Sequence, residues 1–203
     1  MKEIEKRLGL DYQQSSTLKD KLNSRLSRES SIARTVLVNV NGDGFTPDPE
    51  AMTDVKVKLI GEDSILSIKY GSWHGDALRE EYDINFRRSD LANVIGGVSV
   101  VGSDKFILLS TLRTTWRDGD LMHTLDEYGN VGQSLFEVEA SGSFDETHVD
   151  QAFTRLGVMP MDSAETVNFI NAINQHPATR IDLAMVSAQE VARQMLEVHS
   201  HAS

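Results

Sequence analysis

The sequence predicts an α+β fold: an eight-stranded antiparallel β barrel, or tunnel, with flanking helices and a C-terminal helical appendage. Three observations predict it. Period-two alternation recurs in segments such as Asp54-Val-Lys-Val-Lys-Leu and Leu135-Phe-Glu-Val-Glu, a pattern that puts apolar side chains on one face of a strand and charges on the other. Turn signals separate these segments, among them Asn41-Gly-Asp-Gly, Gly61-Glu-Asp, Asp118-Gly-Asp and Tyr128-Gly-Asn. From Ser143 onward the pattern becomes helical. Strands whose polar face is charged cannot bury both faces in the ordinary way. A closed barrel resolves this if its apolar face packs outward on helices and its charges point inward to a ligand. A solvated antiparallel face and an apolar-filled barrel are the alternatives, and the second requires hydrophobic residues at the alternating positions.

The elements follow in order. Glu3 to Leu10 reads as an opening strand, and Ser15 or Ser16 caps a helix through Glu29 with Leu18, Leu22 and Leu26 on one stripe. Arg34 to Val40 is β-branched and strand-like, and it ends at the Asn41-Gly-Asp-Gly turn. Phe45-Thr-Pro-Asp-Pro-Glu is a loop, because neither proline can donate to a ladder. Strands at 54–60 and 64–70 form a hairpin around Gly61-Glu-Asp. After the loop Gly71-Ser-Trp-His-Gly-Asp comes a strand over 77–86, then a short helix capped by Ser89 or Asp90 and stopped at Gly96-Gly97. Three more strands span 105–117, 121–127 and 133–140. A helix over 144–156 stops at Gly157, and Asp162-Ser-Ala-Glu165 and Ser187-Ala-Gln-Glu190 read as capping boxes, the second ahead of a helix carrying Val191, Met195 and Val198. The apolar stripes of this region suit core packing or a homodimer contact. The expected division is a barrel domain over 1–142 and a helical extension over 143–203 that packs on it.

Composition bounds the function. At 203 residues the chain is long enough to bury a substantial core. No apolar run approaches the roughly 20 residues that span a bilayer, and the opening Met-Lys-Glu-Ile-Glu is too acidic for a signal peptide, so the expectation is a cytoplasmic protein away from membranes. The absence of cysteine excludes disulfides, thiolate metal sites and thiol nucleophiles. A net charge of −11 argues against general nucleic-acid binding, which needs surplus Lys and Arg to neutralise phosphates. Any basic site is therefore local and concave.

Within that acidic chain the charges are sorted. Lys56, Lys58, Lys69, Arg79 and Arg113 fall on the middle strands, and paired carboxylates, Glu137 and Glu139 among them, fall at the ends. The division suits a metal-bound polyanion: a hard divalent cation takes oxygen ligands, and phosphates take several cationic donors. Other chemistries find little support. The six histidines show no H-E-x-x-H spacing, and neither G-x-x-x-x-G-K-[ST] nor G-x-S-x-G occurs. His199 and His201 read as a solvated tail, Trp73 as a loop anchor, and Trp116 as a residue of the outer, packed face.

Three groups of residues carry a resemblance to a known family. Glu3-Ile-Glu5-Lys6-Arg7 resembles the N-terminal E-x-E-x-K strand of the CYTH family, the triphosphate tunnel metalloenzymes. The block from Val55 to Lys69 is similar to the family's paired basic strand and its hairpin partner, and Arg79-Glu-Glu-Tyr-Asp-Ile to the R/E-rich strand before a helix. Arg113, Leu125-Asp126-Glu127-Tyr128 and Phe136-Glu137-Val138-Glu139 are similar to the R-x-x-(W/Y), L-D-x-(F/Y) and E-I-E strands. The ordered set covers roughly residues 1–140. It implies an eight-stranded antiparallel tunnel that binds inorganic triphosphate or a nucleoside triphosphate with Mg²⁺ or Mn²⁺. It further implies metal-dependent hydrolysis, with ATP cyclisation as in class IV adenylyl cyclases, or binding alone, as alternatives.

On this resemblance Glu3, Glu5, Glu137 and Glu139 hold metal, with Glu5, Glu137 and Glu139 as the catalytic carboxylates. Arg7, Lys56, Lys58, Lys69, Arg79 and Arg113 bind phosphate, and Glu81 and Asp126 either hold a second metal or position the basic side chains. This sequence departs from the pattern at three places. Lysines 56 and 58 replace arginines, keeping charge but losing the bidentate fork. Thr111 stands where a lysine is usual, and residues 160–203 contain no tyrosine.

Overall fold

The structure is a computed structural model that describes residues 4–40, 45, 53–70, 80–140 and 145–202. The Asn41-Gly-Asp-Gly turn, the proline loop after Phe45 and the Trp73-His74 loop lie outside the described residues.

Strand β1 (Ile4–Asp11) runs straight into helix α1 (Tyr12–Arg25). Asp11 is the cap: its carboxylate accepts from the Gln14 amide, and the Gln14 side chain accepts from the Asp11 amide in return. The expected cap at Ser15 or Ser16 is corrected accordingly, since Ser15 is buried inside the helix. Leu18 and Leu22 are buried as their spacing requires. The helix ends at Arg25, short of Glu29, because Leu26 is already extended and begins the approach to a long strand, β2 (Ser27–Asn39). Next come β3 (Thr53–Ile60) and β4 (Asp63–Tyr70), the expected hairpin, and then β5 (Glu80–Asn85).

A 3-10 turn at Arg88–Asp90 leads into α2 (Leu91–Val101), where Asp90 holds the cap position without a capping bond from its side chain. This helix passes through Gly96-Gly97, where a stop was expected. Burial of Leu91, Ile95 and Val98 on one face outweighs the two glycines, each of which costs about 1 kcal/mol in a helix. Strands β6 (Lys105–Asp118), β7 (Leu121–Tyr128) and β8 (Gln133–Ala140) follow within one residue of the expected bounds. Helix α3 (Glu146–Leu156) is capped by Asp145 and ends at Gly157, whose φ of 69° is open to glycine at little cost. Helix α4 (Ser163–Asn174) has the reciprocal Asp162–Glu165 bonds expected at its start. A short strand that periodicity did not reveal, β9 (Arg180–Asp182), precedes α5 (Ala188–Ala202).

The strands form one antiparallel sheet in the order β1-β8-β7-β6-β2-β3-β4-β5, with β9 paired to β6. The expected α+β class therefore holds: among the described residues, an antiparallel sheet of nine strands with flanking helices and a C-terminal helix.

The chain divides into two compact units, the first of residues 1–32 and 111–172, the second of 33–110 and 173–203. Each has its own core. In the first, Trp116, Phe136 and Phe153 pack with Leu18, Leu22, Leu121 and Leu125. Trp116 is fully buried, and its indole N–H donates to the Asn23 amide oxygen at 3.0 Å. In the second, Leu37, Val57, Leu59, Ile95, Phe106 and Met195 form the centre. His199 is a correction to the expected solvated tail. It is 4% exposed, with Nδ1 3.2 Å from the Thr35 hydroxyl and Nε2 2.9 Å from the Gly61 carbonyl, while His201 is exposed. No helix among the described residues is long and apolar enough to cross a membrane.

Candidate functional site

Strand register decides which charges meet. In the first unit Glu5 stands opposite Glu139 and Arg7 opposite Glu137, across the β1–β8 ladder. Glu137 is in turn opposite Thr124, and Asp126 opposite Arg113 on β6. Because side chains alternate faces along a strand, Glu5, Arg7, Glu137, Glu139, Asp126 and Arg113 all lie on one face. The other face carries Phe136, Val138, Leu125 and Trp116, and it is the core face. Lys6, one residue out of phase, points to that opposite side and pairs with Glu146 and Asp150 of α3.

The charged face is tightly paired. The Arg7 guanidinium lies 2.6 Å from Glu5 and 2.7 Å from Glu137. Arg113 grips Asp126 with both ends of its fork, the Nε bond measuring 2.7 Å. Burial, the largest single influence, would lower the affinity of Arg7 and Arg113 for their protons, but the hydrogen bonds they donate to Glu137 and Asp126 together with the attraction of the surrounding carboxylates hold both guanidiniums above their ordinary value. The Tyr128 phenol lies near enough to both to act in the same direction. Glu5 and Glu139 are like charges directly across a ladder, an arrangement that destabilises a sheet unless something positive offsets it.

The second unit has its own charged face. Lys56 is opposite Ser67, Asp54 opposite Lys69, and Lys69 opposite Glu81. Asp54, Lys56, Lys58, Ser67, Lys69, Glu81 and Asp83 therefore share one face, while Val57 and Leu59 point into the core. Lys58, the most enclosed of the three lysines, lies 3.3 Å from Glu81 and 3.7 Å from Asp83. Lys69 lies 3.0 Å from Glu81, and Lys56 2.7 Å from Asp54. Burial pushes the Glu81 carboxyl up, yet hydrogen bonds from Lys69, Ser67 and Lys58 outweigh it and hold the group at about 2.

Of the residues expected in the site, Glu5, Arg7, Arg113, Asp126, Glu137 and Glu139 thus share one face, and Lys56, Lys58, Lys69 and Glu81 share another. Glu3 and Arg79 lie outside the described residues. Asp54, Ser67 and Asp83 were not anticipated as site residues; alternation alone puts Asp54 on the face of Lys56 and Ser67 on the face of Lys69, whereas the meeting of Asp83 with Lys58 follows only from cross-strand register. Among the described residues no three His, Asp or Glu side chains converge as a ready-made metal cluster. The donor chemistry of Glu5, Glu137 and Glu139 nevertheless suits a hard divalent cation, since all three offer carboxylate oxygens from adjacent strands.

The fold has counterparts among solved structures. The PH1012 protein of Pyrococcus horikoshii OT3 is 14% identical, with a TM-score of 0.56 over 78% of this chain and 92% of its own. HpAC1 from Hippeastrum, named as an adenylyl cyclase and described with a dominant triphosphatase activity, is 14% identical with a TM-score of 0.55 over 87% of this chain and 99% of its own. The PH1819 protein, also of Pyrococcus horikoshii OT3, is 16% identical with a TM-score of 0.50 over 81% of this chain and 98% of its own. At these identities the likeness concerns the fold, and the fold is CYTH-like. No protein-family model matches the chain, and no curated protein matches it.

Proposed function

We propose that the chain is a metal-dependent phosphoanhydride hydrolase acting on inorganic triphosphate or a related small triphosphate. The observation that carries the reading is the face built by β1, β8, β7 and β6, where two opposed carboxylates, Glu5 and Glu139, lie beside the Arg7–Glu137 pair on the face that also carries the Arg113–Asp126 pair. Carboxylates for a cation beside fixed donors for phosphate oxygens are what phosphoryl transfer requires of a protein, because its catalysis is mostly positioning and charge neutralisation. Glu5, Glu137 and Glu139 are the proposed ligands of Mg²⁺ or Mn²⁺, with Glu3 on the resemblance alone. Such an ion, when bound, supplies neutralisation of phosphate charge and a water of lowered pKa.

Arg7 and Arg113 carry the phosphate-binding charge of the first unit, and Lys56, Lys58 and Lys69 that of the second, with Arg79 again on the resemblance alone. The ion pairs of Asp126 with Arg113 and of Glu81 with Lys58 and Lys69 favour a positioning role for these carboxylates over a second metal. The likeness to HpAC1, named as an adenylyl cyclase, keeps ATP cyclisation as a second reading.

Phosphate release measured across pyrophosphate, triphosphate and nucleoside triphosphates with Mg²⁺ and Mn²⁺, with cyclic AMP followed in parallel, tests both. Glu137→Gln and Glu139→Gln are expected to abolish metal-dependent turnover. Their melting temperatures without ligand should diverge: Glu137→Gln loses the Arg7 partner and melts lower, whereas Glu139→Gln trades attraction to Arg117 against relieved repulsion from Glu5 and melts closer to the parent. Full turnover in both variants overturns the assignment.

A further inference from the structure

The charged face of the first unit turns apolar on β1, on the rung where β7 and β6 carry Asp126 and Arg113. Along β1 it runs Glu5, Arg7, Gly9, and Gly9 stands opposite Leu135. A Cβ built on Gly9 would lie 2.4 Å from the Phe169 ring carbons, well inside contact distance. That Cβ would project from the same face as the Arg7 side chain, one strand repeat (about 6.7 Å) away. The ring of Phe169, carried by α4, therefore sits on the charged side of the sheet, and only the absence of a side chain at residue 9 lets it approach so closely.

The approach to α4 is fastened from two sides. The Met161 amide donates to the Arg7 carbonyl at 2.8 Å, and the Gly9 amide lies 3.4 Å from the Met161 sulfur, so residue 161 bonds the outer edge of β1. One residue later the reciprocal Asp162–Glu165 bonds, 2.9 and 2.8 Å, fix the start of the helix. Phe169 is thus placed by a braced segment, and along β1 the charged guanidinium of Arg7 gives way to an aromatic ring within one strand repeat.

We propose that Phe169 is a specificity-determining end wall: it stops an anion bound at Arg7 from continuing along β1, and so selects short linear polyphosphates with a free terminal phosphate over long chains. This deepens the phosphoanhydride reading and rests on it for the identity of the anion. The wall itself is a property of binding, because an aromatic ring offers a chain of phosphates neither charge nor donors and excludes it sterically.

The experiment is calorimetric binding of inorganic triphosphate and of long-chain inorganic polyphosphate, in EDTA so that nothing turns over, to the parent, Phe169→Ala and Gly9→Ala. The alanine at 169 removes the ring; the alanine at 9 displaces it from below, with every charged residue retained. Folding of each variant is verified by circular dichroism. Both variants are expected to improve long-chain affinity relative to triphosphate by about tenfold, the scale on which steric exclusion at a pocket wall discriminates. An unchanged ratio in the folded variants, with a lowered melting temperature as the sole effect, makes Phe169 a packing residue and overturns the wall. Hydrolysis assays on the same proteins keep the two ideas apart: absent turnover with a shifted binding ratio sinks the hydrolase and leaves the wall standing.

Discussion

His123 sits in the first core with its ring stacked 6.1 Å from Phe136, and neither ring nitrogen has a hydrogen-bond partner. Burial dominates its titration and lowers its pKa from the ordinary 6.5 to about 4, against a smaller opposing pull from Asp118. The unfolded chain therefore binds a proton at a higher pH than the folded one, and stability falls as pH drops from about 6.5 towards 4, while above 6.5 the residue contributes no pH dependence. At pH 5 the loss is about 2 kcal/mol. Urea denaturation of the parent at pH 7.5 and pH 5 should show it, and His123→Phe should remove most of the difference; an equal slope in both proteins places the acid sensitivity elsewhere. His199 makes a contrasting case, since both of its ring nitrogens have partners within hydrogen-bond distance.

The β3–β4 hairpin is the element on which the basic face depends. It was legible because Val-Lys-Val-Lys alternates cleanly and Gly61 punctuates it, so both strands have the expected bounds within one residue. What the hairpin grips was less legible. Ser67 reaches Lys56 through the β3–β4 ladder and Asp83 reaches Lys58 from β5, and such neighbours are set by register between strands that a one-dimensional pattern leaves open. At α1 a serine cap is locally plausible but Asp11 wins because Gln14 reciprocates, and β9 is a three-residue strand recognisable by its pairing with β6.

At this scale Lys69→Ala is expected to let the Glu81 carboxyl rise from about 2 towards its ordinary 4.5, read by NMR titration. A carboxylate with a depressed pKa stabilises the fold above its unfolded value, and that contribution is lost as pH falls through the folded one; the variant should lose this dependence between about 4.5 and 2. The same change should weaken triphosphate binding by roughly tenfold, the value of one charge-assisted contact. An unmoved Glu81 would assign its low pKa to Ser67 and Lys58.

For the molecule as a whole, a native-state ligand adds RT ln(1 + [L]/Kd), about 2.7 kcal/mol at a hundredfold excess over Kd. Triphosphate with Mg²⁺ should therefore raise the melting temperature by several degrees, about 2–4 °C per kcal/mol at this size. Either component alone should do less, because the anion leaves Glu5 and Glu139 opposed and the cation leaves the guanidiniums without phosphate. Equal small shifts for phosphate, pyrophosphate, triphosphate and ATP would mean diffuse surface charge and would remove the hydrolase reading.

The division into two units has one more consequence, and it concerns the order in which the chain is made. The boundaries at residues 32/33, 110/111 and 172/173 fall inside β2, β6 and α4, so the chain passes between units through regular structure. Neither unit is a continuous stretch of polypeptide. As the chain leaves the ribosome, Arg7 emerges long before Glu137, its partner 130 residues later. Helix α1 can coil at once on its own cap, but β1 has no strand to pair with until β8 is synthesised, and β1 and its apolar residues must wait. Pairing across such a separation is slow to nucleate and is exposed meanwhile to wrong partners. Glu5, Lys6 and Arg7 put charge on both faces of the waiting strand, and charged strands are poor partners for neighbouring nascent chains.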